Sequence, residues 1–122
     1  MNDRYQQFLN ESRENISRAV ASEDIRRLST EWLIRTAPFK YSYNFTWLGR
    51  PIIQYPQDII MMQEIIWRTR PDLVVETGIA HGGSLIFYAS IIELLGNGGR
   101  VIGIDTDIRD HNRREIEHHP LV

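Results

Sequence analysis

The chain has 122 residues, 42% hydrophobic and 25% charged, with a formal net charge of −2; that is enough for one ordinary globular domain and gives no electrostatic reason to seek nucleic acid or an acidic membrane surface. Thirteen of the fourteen basic residues are arginines scattered from Arg4 to Arg114, and there is no cysteine, which removes disulfides, iron–sulfur clusters and thiolate zinc sites and favours an intracellular, cytoplasmic location. The N-terminal stretch is polar and lacks the apolar centre of a signal peptide, and no apolar run approaches the ~18 residues that span a bilayer.

In chain order, Tyr5, Phe8, Leu9, Ile16, Ala19 and Val20 predict an amphipathic helix over residues 3–20. Ser22, followed by Glu23 and Asp24, reads as the cap and acidic first turn of a second helix. Ile25, Leu28, Trp32 and Leu33 share its inner face and Pro38 ends it. Residues 1–37 are therefore expected to form an N-terminal helical segment. Residues 39–55 are crowded with aromatics (Phe39, Tyr41, Tyr43, Phe45, Trp47, Tyr55) and broken by Gly49 and Pro51. They read as an ordered loop with at most one short strand, whose rings either cover the edge of a core or wall a ligand pocket.

Pro56 is placed to start a helix, which runs apolar on much of its girth to Arg68 and Arg70 and stops at Pro71. "DLVVE", residues 72–76, reads as a buried parallel strand. A glycine loop follows, then a widely apolar helix over 84–95, a turn at "GNGG", and a second buried strand, "RVIGID", over 100–105. A last helix begins near Asp107 or Asp110, one of which would cap it. Strand, loop, helix, turn and strand over 72–105 make a right-handed βαβ unit, the opening of a doubly wound α/β fold.

The loop, "ETGIAHGGS", spaces its glycines as G-x-x-x-G-G from Gly78 to Gly83, not as the G-x-G-x-x-G of dinucleotide sites. Gly78 lies where ligands of open α/β sheets bind, and Gly82, Gly83 and Ser84 enter the next helix, whose free N–H groups favour close approach. Asp105, at the tip of the second strand, is placed to accept from two ribose hydroxyls. Glu76, at the tip of the first, would repel a phosphate and suits a ligand with a positive group. S-adenosylmethionine has both features: a ribose, and a sulfonium with an ammonium-bearing tail. The bland alternative is that both acids merely cap turns.

The stretches "WLGRPIIQYP", "ETGIAHGGS" and "GIDTDIR" resemble the N-terminal half of the cephalosporin hydroxylase family, S-adenosylmethionine-dependent methyltransferases that include rhamnosyl O-methyltransferases. The resemblance covers roughly residues 38–122. It implies a partial Rossmann-like methyltransferase fold, parallel strands with flanking helices, and an N-terminal helical extension. It implies that Glu76, Gly78, Ala80, His81, Gly82, Gly83 and Ser84 line the cofactor loop and that Asp105 holds the ribose. It further implies O-methylation of a small-molecule or sugar hydroxyl, in antibiotic or polysaccharide biosynthesis. A divalent metal, Mg, is expected in family members, with ligands downstream of this chain. Members run to about twice this length, so the chain is expected to be the truncated, cofactor-binding half.

His81 either touches the ligand or bonds nearby backbone. His111, His118 and His119 show no ligand spacing, and no nucleophile–base arrangement appears. Two further readings stay open: a non-catalytic module whose uncovered strand edge pairs with another copy, giving a homo-oligomer, or with a partner chain, and a fragment of a nicotinamide oxidoreductase.

Overall fold

The computed structural model describes residues 3–119; the extreme ends of the expected segments 1–37 and 38–122 lie outside them. The chain divides into two compact units between Phe39 and Lys40.

The first unit holds helices α1 (Asp3–Ala21) and α2 (Glu23–Thr36) and a 3-10 turn at Ala37–Phe39. Ser22 separates the helices as expected: its Oγ accepts from the Ile25 N–H at 3.3 Å, giving α2 its N-cap. Arg27 and Arg35 both pair with Glu31 one turn away. Neither helix buries a residue. The expected inner face of α2 is therefore only half covered, with Ile25 48% and Trp32 39% exposed.

The second unit opens with a 3-10 turn at Tyr41–Tyr43 and a hairpin of β1 (Phe45–Trp47) and β2 (Arg50–Ile52), where the sequence had predicted at most one strand. Leu48 and Gly49 close it with φ of 45° and 86°. Two consecutive positive φ values match the twist of a two-residue hairpin turn, and a leucine at the first of them hides the signal that an Asn-Gly pair would give. Helix α3 (Pro56–Thr69) starts on its proline and ends at Arg70, in the left-handed region at φ 45°. Strand β3 (Leu73–Thr77) then pairs in parallel with β4 (Arg100–Ile104), Leu73 opposite Arg100 and Thr77 opposite Ile104. Helix α4 (Gly83–Leu95) makes the crossover, and α5 (Asp110–Glu117) follows β4.

Helix α4 is the centre of the unit. It buries Leu85, Ile86, Phe87, Tyr88, Ile91, Ile92 and Leu95, touching β4, α3 and both hairpin strands. Trp47 packs edge-on against Phe87, ring centroids 4.9 Å apart, and its Nε1 donates to Ser90 Oγ at 3.0 Å. Of the two readings of the aromatic stretch, Phe45 and Trp47 follow the first and pack against the core.

Two expectations are corrected. The strands are not buried on both faces. Val74, Glu76, Val101 and Gly103 are partly covered, whereas Leu73, Val75, Ile102 and Ile104 are 49, 54, 47 and 54% exposed. An apolar run matches a strand covered twice, but among the described residues of this unit the helices cover one face. Neither Asp107 nor Asp110 caps α5: Arg109 holds that position without a side-chain bond, and Asp110 sits in the first turn.

Candidate functional site

Strand β3 feeds a tight loop at the carboxyl end of the sheet. The Gly78 N–H donates to the Ile104 carbonyl at 2.8 Å, which ties the loop to the tip of β4. The Gly82 N–H donates back to Ile79 at 2.7 Å, and Gly82 enters α4 at φ 80°. Gly82 and Gly83 are required by space as well as by angle. A β-carbon on Gly83 would strike the Pro51 carbonyl oxygen, and one on Gly82 would strike the Ile116 side chain. The chain thus closes between β2 on one side and α5 on the other.

The two acids brace opposite ends of this loop. Glu76 is hydrogen-bonded to Ser84, at the start of α4. Burial pushes its carboxyl above the usual glutamate range, and the Ser84 bond offsets only part of that rise. Its Oε2 is buried with no hydrogen-bond partner. Asp105 accepts from the Asp107 N–H at 3.2 Å and from the Ile79 N–H at 2.8 Å. These bonds, helped by the Ala80 and Thr106 amides, hold its carboxyl below the usual aspartate range. Two of the roughly four lone-pair sites of a carboxylate are thereby occupied by well-formed bonds.

Ala80, which stands where a dinucleotide loop would have a glycine, adopts φ 45°. A left-handed alanine is strained by about 1–2 kcal/mol, so something must hold it. Asn112, buried on α5, donates from Nδ2 to the Ala80 carbonyl at 3.0 Å. Its Oδ1 accepts from Arg50 at 3.1 Å, and the same guanidinium donates twice to the His81 carbonyl. Sequence reading gave neither residue a role. Arg50 lay in a motif that had been singled out, but nothing in the sequence marks Asn112 as buried in a short polar helix.

Behind the loop is a small crevice of about 70 Å³, lined by Pro51, Ile53, Gln54, Glu76, Gly78, Ile79, Ala80, His81, Gly83 and Ser84. Of the eight residues expected at the site it gathers six: Glu76, Gly78, Ala80, His81, Gly83 and Ser84. Gly82 lies under them as the helix cap, and Asp105 braces the loop from β4. Gln54 was not foreseen. Larger hollows of about 590 and 630 Å³ lie along α2 and between α4, β4 and α5; Glu76 lines neither. Among the described residues no group of three or more His, Cys, Asp or Glu could hold a metal ion. His118 bonds its own helix, at the Arg114 carbonyl, 2.6 Å.

A parallel βαβ unit with a glycine loop at the carboxyl end of the strands defines a partial Rossmann-like α/β class of domain. Comparison with known proteins narrows it. The family model for rhamnosyl O-methyltransferase/CmcI matches residues 39–122, and the chain belongs to that family. A rhamnosyl O-methyltransferase of Mycobacterium leprae (strain TN) is 32% identical over 65 residues, covering 53% of this chain and 28% of the relative. One from Mycobacterium tuberculosis (strain ATCC 25618 / H37Rv) is 32% identical over 60 residues, covering 49% and 24%. The matched segment thus spans about a quarter of these curated relatives. A solved structure described as cmcI-N160 SAH superposes with a TM-score of 0.50 at 28% identity, covering 57% of this chain and 39% of that one. Among the described residues, no helix is long and apolar enough to cross a membrane.

Proposed function

We propose that residues 38–122 are the N-terminal half of an S-adenosylmethionine-binding domain, and that the protein methylates a hydroxyl on a sugar or other small molecule. The observation that carries this reading is the buried, unpartnered Oε2 of Glu76 beside the glycine loop. A buried acceptor on a carboxylate calls for a donor, and a positive one answers both the hydrogen bond and the charge. A phosphate there would meet only repulsion. The solved relative described with SAH, read as S-adenosylhomocysteine, supports the same ligand class.

On this reading Glu76 faces the cationic end of the cofactor. Gly78, Ala80, His81, Gly82, Gly83 and Ser84 form the loop against which its tail and ribose lie, and the remaining lone pairs of Asp105 take ribose hydroxyls. The bound cofactor supplies an activated methyl group; these residues bind and orient it. The crevice is far too small for a whole nucleoside and fits only its polar end. The residues that would hold a divalent metal and the substrate bearing the acceptor hydroxyl are therefore assigned to parts of the protein other than residues 3–119, and residues 1–37 to a helical extension outside the cofactor domain. The chain itself is expected to bind cofactor weakly and not to turn over.

The test is a calorimetric and NMR titration with S-adenosylmethionine and with NAD, together with a methyl-transfer assay on sugars and polyols. Amide shifts confined to residues 76–84 and 105 with the first ligand support the reading. Preference for NAD, or no shift with either, removes it, and efficient turnover by this chain alone removes the assignment of a half-domain. A second reading, a self-associating module, is favoured by the bare face of Leu73, Val75, Ile102 and Ile104.

A further inference from the structure

The loop crevice contains a second acceptor of the same kind. Gln54, on the segment between β2 and α3, lines it, and its Oε1 is buried with no hydrogen-bond partner, as is Glu76 Oε2. The two atoms are oriented by one face of α4. Ser84 lies beside the Glu76 carboxyl. Tyr88, one turn further along the helix, takes the Gln54 Nε2–H on its hydroxyl at 3.3 Å. Tyr88 is itself fixed by burial and by its contact with Phe87, ring centroids 5.2 Å apart. The amide nitrogen of Gln54 is thus committed to Tyr88, which leaves the amide oxygen for something else.

We infer that Gln54 is a second recognition residue, whose Oε1 joins Glu76 Oε2 in seating the primary ammonium of the ligand's amino-acid tail. A primary ammonium carries three N–H donors and no acceptor, the complement of two buried, unpartnered acceptors on the lining of one crevice. A sulfonium offers no N–H and satisfies neither atom. A crevice of about 70 Å³ takes an ammonium-bearing carbon but no ring. The selection made here is therefore for the tail of the cofactor rather than for its nucleoside. This inference rests on the reading of the loop as an S-adenosylmethionine seat.

The experiment compares S-adenosylhomocysteine with 5′-methylthioadenosine, the same thioether nucleoside without the amino-acid tail. Both are titrated into the isotope-labelled chain and into its Gln54→Leu variant, followed by NMR. In the wild type both ligands shift loop amides, and the tailed ligand binds tighter by about tenfold or more, the scale of one hydrogen bond to a charged group. Gln54→Leu removes most of that preference while leaving 5′-methylthioadenosine binding as it was. A variant that keeps the full preference overturns the role of Gln54 and leaves the cofactor reading standing. A wild type that responds to neither ligand overturns both. Should the variant fail to fold, the side-chain amide signal of Gln54 in the wild type decides: it moves with the tailed ligand and stays put with the other, and equal behaviour sinks the inference.

Discussion

The carbonyl oxygen of His81 is held by Arg50 through two bonds, from Nε at 3.1 Å and from an Nη at 2.7 Å. The same guanidinium reaches Asn112 Oδ1, and Asn112 reaches the Ala80 carbonyl. Three elements distant in sequence, β2, the loop and α5, are locked by two side chains, and the locked object is the strained part of the loop. The loop shape is thus set by groups on its far side as well as by its glycines.

Breaking the lock should loosen the loop before it unfolds the chain. Asn112→Ala leaves the Ala80 carbonyl and part of the Arg50 fork unpaired, which costs about 1–3 kcal/mol. Arg50→Lys keeps the charge but loses the planar fork, since one ammonium cannot reproduce two bonds to one oxygen and a third to an amide. Both variants are expected to speed amide hydrogen exchange at residues 79–83 more than at the core of α4. Uniform acceleration over the whole unit would mean that the lock is not local.

Space and backbone angle make separate demands along the loop. Gly83→Ala drives a β-carbon into the Pro51 backbone oxygen. Backbone cannot step aside as a side chain can, so a loss of about 1–3 kcal/mol is expected. Ala80→Gly acts in the opposite direction: it relieves φ 45° at some entropic cost in the unfolded chain, for a net gain of up to about 1 kcal/mol. Urea denaturation of the two variants should therefore move their midpoints to opposite sides of the wild type.

How much of this the sequence disclosed depends on the range of the interaction. The βαβ unit was legible because Pro71, the glycines and the two apolar runs act locally, and the register that brings Glu76 opposite Gly103 follows from the crossover. The positions of Glu76 and Asp105 beside the loop were legible for the same reason, as each sits at the end of a recognisable strand. The Arg50–Asn112 lock and the orphaned oxygen of Gln54 could not, because each is created by packing between segments with no shared periodicity. The β1–β2 hairpin was missed through a leucine in a left-handed position that leaves no compositional trace. The bare face of β3 and β4 was missed because a continuous apolar run looks the same whether one layer or two covers it.

The two acids should give opposite pH dependences. Burial raises Glu76, so the folded state holds its proton more tightly than the unfolded state does. Stability then falls as pH rises from the ordinary glutamate value to the raised one, and is level above it. Glu76→Gln should remove that decline and stabilise the chain at neutral pH by less than about 1 kcal/mol, since the carboxyl is only half-buried and water screens it. Asp105 is lowered by backbone N–H bonds, those of Asp107 and Ile79 foremost. Its contribution is present above the ordinary aspartate value and is lost as pH falls through the depressed one, so Asp105→Asn should flatten the acid limb. Chemical denaturation across the acidic range separates the two. Binding of a cationic ligand should also weaken on acidification from a higher pH than an ordinary glutamate would give, because protonated Glu76 no longer attracts it.

The remaining prediction concerns the open side of the sheet. Leu73, Val75, Ile102 and Ile104 project from one face of β3 and β4, each about half exposed. Four such side chains make a patch on the order of a few hundred Å², well short of the roughly 800 Å² per partner of a standard stable interface. If two copies associate through this face, the association should be weak and concentration-dependent rather than a tight dimer. Val75→Thr with Ile102→Thr keeps the β-branching that suits a strand and removes part of the apolar area. Sedimentation of the wild type should show mass rising with concentration, and the double variant should stay monomeric over the same range. A wild type that is monomeric at every concentration would rule out self-association. The face would then need a cover other than a second copy of the chain.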